Sequence, residues 1–345
     1  MDNLTNLSEI GEFGLIDRLN KDNIINNSTT LLSIGDDCAV LDYEDKQILV
    51  STDAMAEGVH FDLVYTPLKH LGYKACVSNF SDIYAMNGTP QQILISLSVS
   101  SKYTLEALEE LYEGIRIACK KYNVDIVGGD TTSSKSGMFL SITVIGSVDK
   151  NKVVKRSGAK KNDLICVTGN LGAAYTGLLV LQREKATFMA NPNFQPDLKP
   201  YEYVVQRHLK AEAQRKTIEL LREKGVVPTS MMDISDGLAS ECLHICKASK
   251  VGCEVYLEKL PIDYETTKTL EEFKILPETA ALNGGEDYEL LFTIDQKDYD
   301  KIKDEQNISV IGYITDESLG QKLITPQNTS MDIKAQGFNH FSKTE

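Results

Sequence analysis

Six short acidic motifs, each set among glycine or small polar residues, are spread along the chain. They are IGDDCAVL (34–41), STDAMAEGVHF (51–61), NFSDIYAM (79–86), VGGDTTSS (127–134), DISDGL (233–238) and NGGEDYEL (283–290). Mg²⁺ requires near-octahedral oxygen ligation and usually bridges a few carboxylates to substrate phosphates. Because most of the motifs adjoin apolar runs, the pattern predicts that carboxylates from both halves of the chain gather around hard cations.

Any one of these motifs also has a plainer interpretation, because Asp often ends strands and caps helices. Asp82 is the strongest single exception. It lies in the apolar C-terminal part of a helix predicted from Pro67 to Met86, where burial of an unpaired carboxylate would be costly. We therefore expect a cation next to Asp82, and six motifs together favour one shared site.

The elements that must position these motifs alternate between apolar strands and amphipathic helices, which predicts an α/β or α+β protein. Residues 104–122 carry apolar side chains at three- and four-residue steps and predict a helix. Strands are predicted at LLSIGDDCAVL, KQILVSTDAM, QQILISLSVS, MFLSITVIGSV, CEVYLEKL, ELLFTI and ISVIGYI, and a further helix after Arg207. The charged segment 149–163 separates two predicted domains, 1–149 and 150–345.

The turn from Gly169 to Gly172 follows a predicted strand and precedes a predicted helix. Glycines at such a turn can hold a phosphate on backbone N–H groups. The turn lacks the third glycine of a dinucleotide fingerprint, and the chain has no GxxxxGK[ST] motif. A tight structural turn is therefore the favoured interpretation, and any ATP site is not a P-loop.

Composition excludes several classes of protein. The formal net charge of −14 argues against a nucleic-acid surface, which requires basic patches. The sequence has no apolar run of about 18 residues, so no membrane span is predicted, and its first residues do not resemble a signal peptide. Seven scattered cysteines are typical of reduced thiols, and we expect a cytoplasmic protein.

The motifs, taken in order, resemble the thiamine-monophosphate kinase family of the aminoimidazole ribonucleotide synthetase-like superfamily. The resemblance extends from GEFGLI (11–16) through the six acidic motifs and RSGAKKND to GFNHF (337–341). It implies transfer of the γ-phosphoryl group of ATP to thiamine monophosphate, with Mg²⁺ as cofactor. It also implies a two-domain fold, α/β followed by α+β, with a homodimer formed through the N-terminal sheet and a site in the cleft between the domains.

Carried over residue by residue, the resemblance implies these metal ligands or close neighbours: Asp37, Ser51, Thr52, Asp53, Asp82, Asp130, Asp233 and Asp236. Of these it implies catalytic roles for Asp53, Asp130 and Asp236. ATP contacts are implied at Gly129, Asp130, Arg156 and Ser235, and thiamine monophosphate contacts at His60, Glu286 and Phe338.

Some of these residues have plainer alternatives. Taken alone, His60 is a turn histidine and Arg156 a solvated charge in a basic loop. Phe338 stands where the family often has tyrosine, so a hydroxyl contact is absent while ring stacking on the ligand remains.

Two other functions stay open at the level of sequence. Another ATP-dependent synthetase of the same superfamily, such as one like aminoimidazole ribonucleotide synthetase, is disfavoured by EGVHF together with GGEDYEL. A non-catalytic nucleotide-binding protein on this fold would require a decayed acidic set, and the acidic residues are present.

Overall fold

The strands in the described part of the chain form two sheets, one in each half. The computed structural model describes residues 30–32, 35–43, 45–191, 193 and 195–336. Within these ranges the first sheet has the order β1-β2-β3-β6-β4-β5. Its strands are β1 (Thr30–Leu32), β2 (Ala39–Tyr43), β3 (Lys46–Ala56), β4 (Thr89–Val99), β5 (Asp125–Ser133) and β6 (Met138–Asp149). All neighbouring strands are antiparallel except β4 and β5, which are parallel.

Two helices cover one face of this sheet, α1 (Leu68–Ala85) and α2 (Leu105–Tyr122). The Thr104 hydroxyl accepts the Ala107 N–H at the start of α2, and Asn123 ends the helix with φ of 59°. A Cβ at Gly114 would lie 1.9 Å from the Lys69 carbonyl oxygen, so glycine permits the close approach of the two helices. The opposite face of the sheet is open and carries Leu94 and Phe139, which are 36% and 45% exposed.

The second half of the chain folds around a seven-stranded sheet of order β13-β12-β9-β11-β7-β10-β8. Its strands are β7 (Leu164–Thr168), β8 (Ser230–Asp233), β9 (Gly252–Tyr256), β10 (Leu290–Ile294), β11 (Ile308–Thr315), β12 (Gln321–Ile324) and β13 (Ser330–Asp332). The helices of this half are α3 (Ala173–Ala190), α4 (Glu202–Leu209), α5 (Arg215–Glu223), α6 (Leu238–Ser249), α7 (Tyr264–Phe273), α8 (Pro277–Asn283) and α9 (Tyr299–Ile302).

Helix α1 packs against elements of both halves. It is buried on nearly all sides, as expected for a helix enclosed by other elements, and it packs against α2 and the first sheet and also against β8 and α4. One hydrophobic cluster accordingly contains Phe80 and Ile142 from the first half and Ile218 and Phe292 from the second. The acidic motif on α1 is thereby brought next to the motif at the end of β8.

The structure confirms the two predicted N-terminal helices and the predicted mixed α/β class. The helix predicted after Arg207 is α5, but Arg207 itself lies inside α4, which the sequence interpretation missed. It also missed β5, where the GGD motif lies within a strand rather than beside one. The division of domains at residue 150 stays a prediction. Among the described residues, no helix is long and apolar enough to cross a membrane.

Candidate active site

Three carboxylates from distant parts of the chain meet between the two halves. Asp37 precedes β2, Asp82 lies in the last turns of α1, and Asp233 ends β8. One oxygen of each lies within 4.8 Å of the others. Asp233 is only 3% exposed, and the Asp37 side chain is 2% exposed. Asp82 also accepts a hydrogen bond from the Ser51 hydroxyl at 2.6 Å.

The crowding has a clear electrostatic consequence. Burial, reinforced by the charges of Asp53, Asp233 and Asp37, raises the pKa of Asp82 well above its usual value. Burial and the Asp37 charge raise the pKa of Asp233 to about 8. A set of carboxylate oxygens with a neighbouring hydroxyl suits a hard cation such as Mg²⁺, and a bound cation would stabilise the ionised forms. The donor set therefore fits the metal that the sequence predicted.

Arg156 contacts this cluster with its guanidinium group. Its Nε and Nη2 donate to the two oxygens of Asp37 at 3.2 and 2.9 Å, the paired geometry that fixes both groups. Its backbone N–H also points to the Asp36 carboxylate. Burial and the neighbouring Asp37 charge raise the pKa of Asp36 to about 6. Arg156 is therefore an ordered partner of the acidic cluster rather than a solvated loop charge.

Strand β3 presents its predicted ligands on two faces, because side chains alternate along a strand. Ser51 and Asp53 face α1, where the Asp53 N–H donates to the Asn79 side chain at 3.1 Å. The Thr52 hydroxyl lies on the other face and donates to the Ile142 carbonyl. The fold thus brings Ser51 and Asp53 to the acidic cluster and turns the Thr52 side chain away from it.

Gly129 and Asp130 lie on β5 at the far edge of the first sheet. The cross-strand row from Asp130 passes through Ser96 and Ser141 to Ala54. Three strand spacings of about 4.8 Å therefore separate Asp130 from β3, and Asp130 shares the open face with Ala54. Gly129 has φ of +152°, and a Cβ there would lie 1.9 Å from the Ile95 carbonyl oxygen. Within one chain the fold does not bring Asp130 to the acidic cluster.

The DISDGL and GGEDYEL motifs pair with each other through their backbones. The Glu286 N–H donates to the Ser235 carbonyl at 2.7 Å, and the Tyr288 N–H donates to the Ile234 carbonyl at 2.9 Å. The Asp236 N–H donates to the Glu241 carboxylate at 2.9 Å. Ser235 and Asp236 therefore lie in an ordered loop that continues from Asp233.

Glu286 belongs to a polar group in which the sequence interpretation missed Lys74 and His208. Lys74 of α1 lies 2.8 Å from Glu286 Oε1, and His208 of α4 lies 3.3 Å from Oε2. Although burial opposes it, the charge of Lys74 lowers the pKa of Glu286. The His60 Nδ1 accepts the Ala56 N–H at 3.0 Å. Lys74 stands in the apolar stretch between Leu71 and Val77 of α1, which is the one sequence signal that could have marked it.

The turn between Gly169 and Gly172 does not offer its N–H groups to a phosphate. The Asp287 carboxylate accepts the Gly172 N–H at 2.7 Å and the Ala174 N–H at 3.4 Å, so it caps α3. Arg207 donates to the adjacent Glu289 at 2.9 Å. The structural interpretation of this turn is confirmed, and the acids that follow Glu286 support the fold. Phe338 lies outside the described residues.

Two family models match most of the chain. The AIR synthase related protein N-terminal domain matches residues 35–148, and the C-terminal domain of the same family matches residues 160–321. The thiamine-monophosphate kinase of Bacillus subtilis (strain 168) is 35% identical, and the match covers 96% of this chain and 99% of that protein. The chain belongs to the thiamine-monophosphate kinase family.

Solved structures of this kinase family share the fold. A structure described as AaThiL complexed with AMPPCP and TMP is 30% identical, has a TM-score of 0.82, and is matched over 98% of this chain and 100% of that one. Thiamine-monophosphate kinase from Stenotrophomonas maltophilia K279a is also 30% identical, with a TM-score of 0.71 and coverage of 91% and 96%. The two-domain aminoimidazole ribonucleotide synthetase-like fold is thus confirmed.

The acidic cluster should make the stability of the metal-free protein depend on pH. Asp233 and Asp36 have folded-state pKa values of about 8 and about 6, above the unfolded value of about 3.9. The folded state therefore binds more protons between about pH 4 and pH 8, and the unfolding free energy falls as pH rises through that window. We expect the thermal midpoint in chelator-containing buffer to fall from about pH 5.5 to pH 8.

Added Mg²⁺ should reverse much of this fall in the thermal midpoint, because cation binding favours the ionised carboxylates. The variant Asp233→Asn should show a shallower pH dependence than the unaltered protein. A thermal midpoint that rises with pH over this window in chelator would contradict the assignment of raised pKa values.

Proposed function

We propose that this protein transfers the γ-phosphoryl group of ATP to thiamine monophosphate and forms thiamine diphosphate. The observation that carries the proposal is the convergence of Asp37, Asp82 and Asp233 in a chain of this family. A relative 30% identical was solved with AMPPCP and TMP, and AMPPCP is an analogue of ATP. The alternative of a non-catalytic binding protein loses support, because the fold brings these acids together instead of dispersing them.

Mg²⁺ is the proposed cofactor, with Asp37, Asp82 and Asp233 as ligands and Ser51 and Asp53 beside them. Bound Mg²⁺ would neutralise phosphate oxygens and the charge that develops during transfer. Arg156 holds the Asp37 carboxylate through two hydrogen bonds. The chain's contribution on this side is thus a rigid, buried set of oxygens, a form of electrostatic preorganisation.

The acceptor is proposed to lie against His60 and Glu286, on the side of the cluster formed by the 283–289 loop. Backbone hydrogen bonds tie this loop to residues 234–236, where Ser235 and Asp236 are proposed to act on ATP and its metal. The loop therefore couples the position of the acceptor to that of the donor. Such coupling matters because phosphoryl transfer depends chiefly on in-line positioning and charge stabilisation.

One assay tests the proposed function. The purified protein is incubated with ATP, Mg²⁺ and thiamine monophosphate, and the thiamine phosphates are then separated. We expect thiamine diphosphate and ADP in equal amounts, and no product without Mg²⁺. ATP hydrolysis that leaves thiamine monophosphate unchanged would overturn the proposal and favour another reaction of the superfamily.

We also propose a C2 homodimer in which a second copy covers the open face of the first sheet. This face carries the exposed apolar side chains of Leu94 and Phe139, and the edge strand β5 is exposed along its length. Open edges and apolar faces of this kind normally acquire a partner, and C2 is the commonest closed symmetry. Covering this face would bury Asp130, so we propose that Asp130 acts at the dimer interface.

Light scattering tests the dimer. We expect a dimer at micromolar concentration, and Leu94→Glu should shift it to monomer, because a charge would be buried at the interface. Leu319→Glu is the matched control, since Leu319 is an exposed leucine (54%) of the second half. A monomeric unaltered protein would contradict the proposal.

The division into domains 1–149 and 150–345 and the cytoplasmic location are further parts of this proposal. The break between the two family models, after residue 148 and before residue 160, supports the division. All seven cysteines are buried free thiols, which is typical of a reducing compartment.

A further inference from the structure

Lys74 is a buried lysine that has no assigned role in the proposed reaction. It lies in the middle of α1 and is 5% exposed. Lysine is almost never buried without a partner, and removal of one member of a buried ion pair is strongly destabilising. The Lys74 ammonium group lies 2.8 Å from Glu286 Oε1. The position of the ammonium group is therefore tied to the position of the Glu286 carboxylate.

Glu286 is constrained through its backbone as well. Its φ is +57°, a left-handed conformation that is uncommon for residues other than glycine. The Glu286 N–H donates to the Ser235 carbonyl at 2.7 Å, which holds the residue in this conformation. Strained residues of this kind cluster at sites of function. The side chain remains 32% exposed, so the carboxylate is both fixed and accessible.

His208, on α4, is the third member of the group formed with Lys74 and Glu286. It is 4% exposed, and its Nδ1 lies 3.3 Å from Glu286 Oε2. Burial and the Lys74 charge lower the pKa of His208 to about 3, so the ring is neutral at physiological pH. The positive charge that balances Glu286 in this group therefore comes from Lys74, while His208 limits the space around the second oxygen.

We propose that Lys74 is a positioning residue for the acceptor, which holds the Glu286 carboxylate in the orientation that contacts the thiamine moiety. The inference rests on the proposed function, in which Glu286 contacts thiamine monophosphate. The Lys74 side chain is only 7% exposed and its ammonium group already meets a carboxylate. It therefore acts through Glu286 and not by direct contact with the acceptor phosphate.

A double-mutant cycle tests this proposal. Steady-state kinetics are measured for the unaltered protein, Lys74→Met, Glu286→Gln and the double variant, with thiamine monophosphate and ATP varied separately. We expect each single variant to raise KM for thiamine monophosphate about tenfold and to change KM for ATP less than twofold. The double variant should be no worse than Glu286→Gln alone, because residues that act through one contact are not additive.

The control is Lys69→Met on the same helix, because Lys69 is exposed and pairs with Glu113. This substitution should change neither KM. If Lys74→Met does not fold, the charge-balanced double variant is compared with Glu286→Gln alone. Equal KM values support the proposal. The proposal is overturned if the KM increases of the two single variants multiply in the double variant, or if Lys74→Met leaves KM for thiamine monophosphate unchanged.

The same measurements separate this inference from the proposed function. Turnover of the unaltered protein with thiamine monophosphate decides the function, whereas the ratios among variants decide the role of Lys74. An active protein with multiplied effects therefore rejects the positioning role and leaves the function intact.

Discussion

Replacing Asp82 with asparagine should remove nearly all turnover and should also make the metal-free protein more stable. Asp82 lies in the acidic cluster with Asp37 and Asp233, and burial together with the neighbouring carboxylates raises its pKa. A neutral amide of the same shape relieves the repulsion in the absence of cations. It also removes an anionic ligand, and metal-assisted charge stabilisation contributes several kcal/mol.

The expected loss in kcat/KM is at least about 100-fold, or about 2.7 kcal/mol of transition-state stabilisation. The thermal midpoint in chelator should rise, and the increase produced by Mg²⁺ should shrink. Asp149→Asn is the matched control, because this exposed aspartate ends β6 and pairs with Lys152. A variant that retains more than about a tenth of the activity would show that Asp82 is not a metal ligand. A metal ligand should lower the activity and raise the thermal midpoint in chelator when it is replaced, whereas replacement of a residue needed only for folding should lower both.

The sequence was sufficient for features that depend on local pattern. The periodicity of residues 104–122 correctly predicts α2. The acid in an apolar stretch of helix singled out Asp82, which the structure places in the acidic cluster, while its cation partner stays a prediction. The Gly169–Gly172 turn was also interpreted correctly, although the carboxylate that caps it comes from Asp287, more than a hundred residues away. Local composition thus identifies an element but does not identify its distant partner.

Features that depend on register and on packing between the halves could not be predicted in the same way. Asp130 belongs to one of the six acidic motifs, yet its place on β5 separates it from Asp53 because of the strand order of the sheet. Lys74 and His208 reach Glu286 only because α1 and α4 pack together. The spacing of these residues along the chain therefore could not predict that they are in contact.

Thiamine itself should be a very poor acceptor compared with thiamine monophosphate. A phosphate monoester has a second pKa near about 6 and is largely dianionic at neutral pH, so its oxygen can attack without first losing a proton. The hydroxyl group of thiamine keeps its proton and benefits from a positioned general base, which contributes about 10²- to 10⁴-fold in rate. We therefore expect thiamine to react at least about 100-fold more slowly at equal concentration with excess Mg²⁺ and ATP.

The titratable groups near the proposed acceptor are poorly suited to act as that base. Glu286 is paired with Lys74, whose charge outweighs the effect of burial and lowers the pKa of Glu286. His208 is neutral and buried, with a pKa of about 3, and the His60 Nδ1 already accepts the Ala56 N–H. Comparable product from both acceptors would contradict a mechanism based on metal positioning and would indicate a general base. His60→Gln identifies that base if it suppresses the reaction of thiamine while the reaction of thiamine monophosphate persists.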